Sequence, residues 1–159
     1  MGAPAADSDA LRRVFDTTRV AALGTLHRGE PAVSMVPFVL PGGHAHVVVH
    51  VSALATHTAD MREHARVGLL VMAQWQDGVS AQALPRVALR AEAEFLQRDS
   101  TAYVAARDAY CERFADAAPT FELDDFSIAL LHPISARLVA GFGRAYSLAG
   151  PAVLQWLRG

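Results

Sequence analysis

The sequence predicts an α+β domain built on an antiparallel sheet that curls towards a barrel, with helices at its flanks. Three observations carry that prediction. Short apolar segments suited to strands recur along the 159 residues. Turn residues separate most of them by only a few positions, and a few segments switch to helical spacing. Strands joined by tight turns pair antiparallel, and closing such a sheet removes its exposed edges.

Residues 8–18 read as a helix, with Ser8 placed to cap it and Leu11, Val14 and Phe15 on one face. Residues 20–26 form a buried strand, Arg28 and Gly29 a turn, and residues 31–39 the return strand. After the turn at 41–43, residues 44–51 complete a meander. Residues 52–65 return to helical spacing, with Thr56 or Thr58 as cap. A strand at 67–73, a polar loop at 74–82 and a long strand at 86–96 follow. Residues 100–114 make an amphipathic helix with Tyr103, Ala106, Tyr110 and Phe114 in line. Residues 126–131 and 134–142 are a last strand or strand pair around Pro133, and 151–157 a terminal helical turn. The expected organisation is one domain over 1–159, with 1–7 as a flexible leader and 149–159 as a tail.

Composition removes several chemistries. All 14 basic residues are arginine, and neither lysine nor asparagine occurs. A Schiff-base lysine, a pyridoxal phosphate linkage and a Walker phosphate loop are therefore excluded. So are an N-glycosylation sequon and a Cys-His-Asn triad. At 52% hydrophobic, 19% charged and net −2, the chain is a globular domain without a general affinity for nucleic acid. The lone Cys111 forms no internal disulfide, which fits a reducing, cytoplasmic setting. The N-terminus lacks the apolar stretch of a signal peptide, and no apolar run approaches the roughly 18 residues of a membrane span.

Few residues carry chemistry by pattern alone. His44, His46 and His50 share strand parity, but no acidic residue or cysteine nearby in sequence completes a metal set, so no metal site is assigned. They read as the solvated face of a half-exposed strand. Ser34 and Ser52 lie outside any nucleophile elbow, Cys111 sits mid-helix, and the adjacent Asp124 and Asp125 do not face each other; no catalytic residue is assigned. The segment with chemical content is Ser52-Ala53-Leu54-Ala55-Thr56-His57-Thr58, three hydroxyls and an imidazole at a strand-to-helix junction. Free backbone N–H groups and the helix dipole suit such a junction to a phosphate, although an ordinary helix cap uses the same residues.

Three stretches together resemble a known family. These are Ala22–Leu26 with Gly29-Glu30-Pro31 and Ser34-Met35-Val36-Pro37-Phe38; the Ser52–Thr58 segment; and Leu84–Leu89 with Gly141-Phe142-Gly143-Arg144-Ala145-Tyr146. In this order they resemble the pyridoxamine 5′-phosphate oxidase-like FMN-binding split-barrel proteins, and within them the heme-utilization branch. The resemblance covers about residues 10–148. It implies a predominantly antiparallel six-stranded split β-barrel with flanking helices, forming a homodimer with FMN at the subunit interface and acting as a flavin-dependent oxidoreductase on a small molecule. By position, Ser34, Met35 and Val36 would pass the flavin ring, Ser52, Thr56, His57 and Thr58 would surround its phosphate, and Arg86 would reach the phosphate or ring edge. Two departures stand out. Positions that hold arginine and lysine in the oxidases carry Ser34, Val39, Thr56 and His57 here. A phosphate resting on His57 implies FMN binding that weakens as pH rises from about 6 to 8. The alternative the resemblance implies is heme binding or heme degradation in the same dimer cleft. No histidine follows His132, so His27 or His132 would replace the C-terminal histidine of the heme-utilization proteins.

Overall fold

In the computed structural model, which describes residues 2–159, helix α1 spans Ala5–Thr17. It begins earlier than the expected Ser8 cap. Pro4, whose fixed φ suits a helix start, precedes the first turn, and Ser8 Oγ donates to the Ala3 carbonyl instead of capping. The expectation of a loose leader fails from Ala5 onward for a reason outside the helix. Asp7 in the first turn is buried, and it accepts from Arg144 Nη1 and Tyr146 Oη, both at 2.6 Å. Leu11, Val14 and Phe15 enter the core on the face their spacing predicts.

Strands β1 (Val20–His27) and β2 (Glu30–Pro37) form a hairpin in register from Val20–Pro37 to His27–Glu30. Arg28 and Gly29 both have positive φ, 52° and 83°, as a two-residue turn matched to strand twist requires. Strand β3 is Val47–Ser52, shorter than expected because His44, Ala45 and His46 remain in the turn. Helix α2 is Thr56–Glu63, capped by the Ala55 backbone and by neither threonine. Strands β4 (Arg66–Met72) and β5 (Arg86–Phe95) flank a polar loop with a 3₁₀ turn at Ala81–Ala83. Helix α3, Thr101–Arg113, is capped by Ser100, whose side chain accepts from Tyr103 N. A 3₁₀ segment, Ala115–Glu122, leads into β6, a strand of 16 residues, Phe126–Gly141. Strand β7 (Arg144–Ala149) and helix α4 (Pro151–Arg158) finish the chain.

All pairings are antiparallel, in the order β2-β1-β4-β5-β6-β3, with β7 added to β6. The six-stranded split barrel is present, and β7 is a seventh strand beyond it. Two backbone hydrogen bonds between Val39 and Val48, 2.8 and 3.0 Å, tie the chain after β2 to β3 and bring the sheet's ends together. The suspected break at Pro133 is a bulge within one continuous strand. Beside it β6 exchanges partners: residues up to Leu131 pair with β3, and those from Ser135 pair with β7. The tail is a working part of the core, because α4 buries Val153, Trp156 and Leu157, with Trp156 6.3 Å from Phe15. Among the described residues, no helix is long and apolar enough to cross a membrane.

The barrel interior is filled by Leu23, Leu69, Val71, Leu89, Leu131 and Leu138 with their neighbours. A second apolar cluster joins the other face of β3 and β6 to α3 and the 3₁₀ segment, through Val48, Tyr110, Phe121, Ile128 and Leu130. It corrects the reading of His50 as solvated. His50 is 8% exposed and stacks on Phe121 at 3.7 Å, with Tyr110 and Phe126 beside it. Burial, helped by the Arg98 charge, lowers its pKa from 6.5 to about 4. Its stabilising contribution is therefore complete above pH 6.5 and is lost as pH falls towards 4, where the unfolded chain takes up a proton first. After allowance for screening the loss is on the order of 2 kcal/mol. Denaturant titrations from pH 7 to 4 should show this decline, and His50→Phe should flatten it.

Candidate functional site

The junction between β3 and α2 is stitched by its own hydroxyls. Ala53 N donates to Asp125 O and Ala55 N to Ser52 O, turning the chain through a tight bend. Ser52 Oγ donates to the Asp125 carboxylate at 2.9 Å and accepts from Leu54 N at 3.1 Å. Thr58, fully inside, donates to the Ser52 carbonyl at 2.7 Å. Two of the three hydroxyls expected at a phosphate thus close the bend, and the Asp125 carboxylate at Ser52 repels an anion. Thr56 is exposed and His57 half-buried on the first turn of α2. Desolvation lowers the His57 pKa below 6.5 against the opposing pull of Asp60, so His57 is mostly neutral at pH 7. The expected loss of binding between pH 6 and 8 accordingly moves to lower pH.

One turn further along α2 lies a residue that sequence reading missed. Asp60 is 3% exposed and points at the end of β1, where Thr25 Oγ1 donates to Oδ2 at 2.8 Å. His27 Nδ1 lies 2.7 Å from Oδ1. An ionised carboxylate only accepts, so Nδ1 carries the proton, and Nε2 is the ring nitrogen that offers a lone pair in the neutral tautomer. The hydrogen bond from His27, the largest influence, and that from Thr25 lower the Asp60 pKa from its usual value. The His27 side chain is 43% exposed, so its outer edge reaches solvent. The sequence signal was faint: Thr25 and His27 share strand parity, and Asp60 lies on a helix more than thirty residues away.

The remaining expected residues divide between two faces of the sheet. Ser34 and Val36 point inward, and Ser34 Oγ is buried without a hydrogen-bond partner among the described residues. Met35 points outward, 62% exposed. Arg86, at the start of β5, donates to the carbonyls of Leu84 and Gln82, and with Arg137 and Phe142 lines a cavity of about 530 Å³. It pairs with Val139 at one end of β6, whereas Ser52 pairs with Phe126 at the other. Within one protomer, then, Arg86 is not brought to the α2 junction.

The outer face that carries Met35 is ordered in rows. Val33, Gly24, Gly68 and Arg90 lie side by side across β2, β1, β4 and β5. Met35, Ala22, Leu70, Ala88 and Arg137 form the next row. The β2 side is apolar and exposed, with Val33 at 78%, and the β5–β6 side is cationic. Neither glycine is required by packing within the chain: an added Cβ would meet nothing nearer than 3.7 Å at Gly24 or 3.9 Å at Gly68.

A split antiparallel barrel of this topology defines a class, and comparison with known sequences names it. The family profile described as pyridoxamine 5′-phosphate oxidase matches residues 8–139, and the chain belongs to that family. The heme oxygenase HutZ of Vibrio cholerae serotype O1 is 26% identical over 131 residues, covering 82% of this chain and 73% of HutZ. Among solved structures, a heme binding protein from Mycobacterium smegmatis superimposes with a TM-score of 0.84 at 29% identity, over 98% of this chain and 62% of that one. Campylobacter jejuni ChuZ shares the fold, with a TM-score of 0.80 at 20% identity over 96% of this chain and 63% of ChuZ. The chain therefore spans less than two thirds of the length of these last two proteins.

Proposed function

We propose that this chain is a heme-binding protein, acting as a homodimer, in which His27 is the iron ligand. The observation that carries the reading is the His27–Asp60 pair. Heme iron takes an imidazole nitrogen as axial ligand, and a ligating histidine commonly hands its other ring N–H to a carboxylate. His27 has that arrangement, with Nδ1 on buried Asp60 and Nε2 directed outward. Arg28 follows His27 directly in the β1–β2 turn and supplies a guanidinium group for a carboxylate of a porphyrin. The names of HutZ and of the mycobacterial protein point to the same ligand. His132 is a weaker candidate, since its Nε2 already lies 2.6 Å from Glu94 Oε2.

FMN is the rival ligand, with Ser34, Met35 and Val36 beside the ring, Ser52, Thr56, His57 and Thr58 about the phosphate, and Arg86 brought from a second protomer. Against it stand the internal commitments of Ser52 and Thr58 and the carboxylate of Asp125. Hemin titration decides between the two. Wild type and His132→Ala should give the same Soret shift at one heme per chain, and His27→Ala should lose it or bind at least tenfold more weakly. Saturable flavin uptake without a His27-dependent Soret band would overturn the heme reading.

The dimer rests on the outer face. Apolar strand faces left open to water attract a partner, and two adjacent glycines with no internal steric role leave room for close approach by another backbone. A leucine at Gly24 fits the protomer and favours the strand, yet would hold a second copy away. Gly24→Leu should keep the native circular dichroism of a folded chain but sediment as a monomer, while wild type sediments as a dimer. A dimeric Gly24→Leu would place the contact elsewhere.

A further inference from the structure

Two of the three histidines that sequence spacing left as a solvated face, His44 and His46, meet His132 and Glu94 in the fold. His44 and His46 leave the turn after Gly43, with ring centroids 5.0 Å apart. The next residue, Val47, pairs with Leu131, so His46 lies beside His132 across the β3–β6 ladder, centroids 6.0 Å apart. His132 Nε2 is in turn 2.6 Å from Glu94 Oε2, on the neighbouring strand β5. Three imidazoles and one carboxylate from a turn and two strands therefore meet on one patch.

From this juxtaposition we propose that His44, His46, His132 and Glu94 form a binding site for a divalent transition metal of the zinc class. The donor set is the nitrogen-and-oxygen mixture that zinc accepts in tetrahedral sites. Two imidazoles bound to one ion at about 2.1 Å hold their centroids roughly 5 Å apart, the present separation of His44 and His46. The imidazoles are accessible, and the Glu94–His132 contact would give way to coordination of both groups by the ion. His44 is exposed, and His46 and His132 are only partly covered, so none of the three is a core residue.

Among the described residues, no three His, Cys, Asp or Glu side chains stand, as placed, where they could hold a metal ion. Closing the site requires the rings of His44 and His46 to turn while the backbone stays in place. Space for that exists, because both rings rim a cavity of about 160 Å³ against Ala102, Ala105 and Leu130. The site is separate from His27, which stands on β1 with β4 and β5 between it and β6.

The test is a calorimetric titration of the heme-free full chain with zinc chloride, repeated with cobalt(II) for its visible absorption. The expected result is one zinc per chain and a tetrahedral cobalt spectrum. His46→Ala and His132→Ala should each weaken binding at least tenfold, and His64→Ala should leave it unchanged. Zinc should also raise the thermal midpoint of wild type and not that of the His46→Ala/His132→Ala double variant. His46→Ala should bind hemin as wild type does, which separates this site from the heme reading. Absence of stoichiometric zinc binding, or binding indifferent to both His46 and His132, would overturn the proposal.

Discussion

Strand β6 organises this molecule. One edge pairs with β5 along nearly its whole length, while the other holds β3 first and β7 afterwards. The exchange falls at Pro133, which lacks an N–H to give to a ladder and is absorbed by a bulge opposite Ala91. On one side of that point, β6 presents Ile128 and Leu130 to α3 and places His132 beside His46. On the other, it carries Arg137 and Val139 onto the outer face and anchors the β7 strand whose Arg144 and Tyr146 hold Asp7. A strand confined to a single partner could not serve the second core, the histidine patch and the outer face together.

The histidines show how environment assigns different work to one side chain. His50 is enclosed by aromatic rings and kept neutral, so it packs as a flat hydrophobic group. His27 is half-open and held by a buried carboxylate, which fixes the tautomer and leaves one nitrogen outward. His57 is partly desolvated and mostly neutral, a poor anchor for a phosphate at pH 7. His44, His46 and His132 sit in each other's fields with Glu94 in reach. Burial sets His50 and His57 apart, and a carboxylate partner singles out His27 and His132.

Local signals were read well from the sequence. The Arg28-Gly29 turn, the buried strand at 20–26 and the amphipathic helix at 100–114 are short-range, and each appears where its residues put it. Strand β7 escaped notice because it alternates only between exposed and half-exposed positions, with little apolar contrast. The start of α2 was misassigned because its threonines offered plausible caps, while the fold spends Thr58 on the Ser52 carbonyl. Asp60 and the Glu94–His132 contact were not legible at all, since their partners lie more than thirty residues away and only the sheet register unites them. The resemblance to the oxidase family found the fold correctly, yet it drew attention to a phosphate cradle whose hydroxyls are engaged here.

The central assertion is that a carboxylate-held His27 is a metal-ligating imidazole. Resonance Raman spectra of the reduced, ferrous heme complex read the iron–histidine bond directly. Hydrogen bonding of Nδ1–H to Asp60 strengthens the ring as a donor, so the wild-type protein should show an iron–histidine stretch that moves to lower frequency in Asp60→Asn and vanishes in His27→Ala. A spectrum without a histidine stretch, or one that both substitutions leave in place, would contradict it.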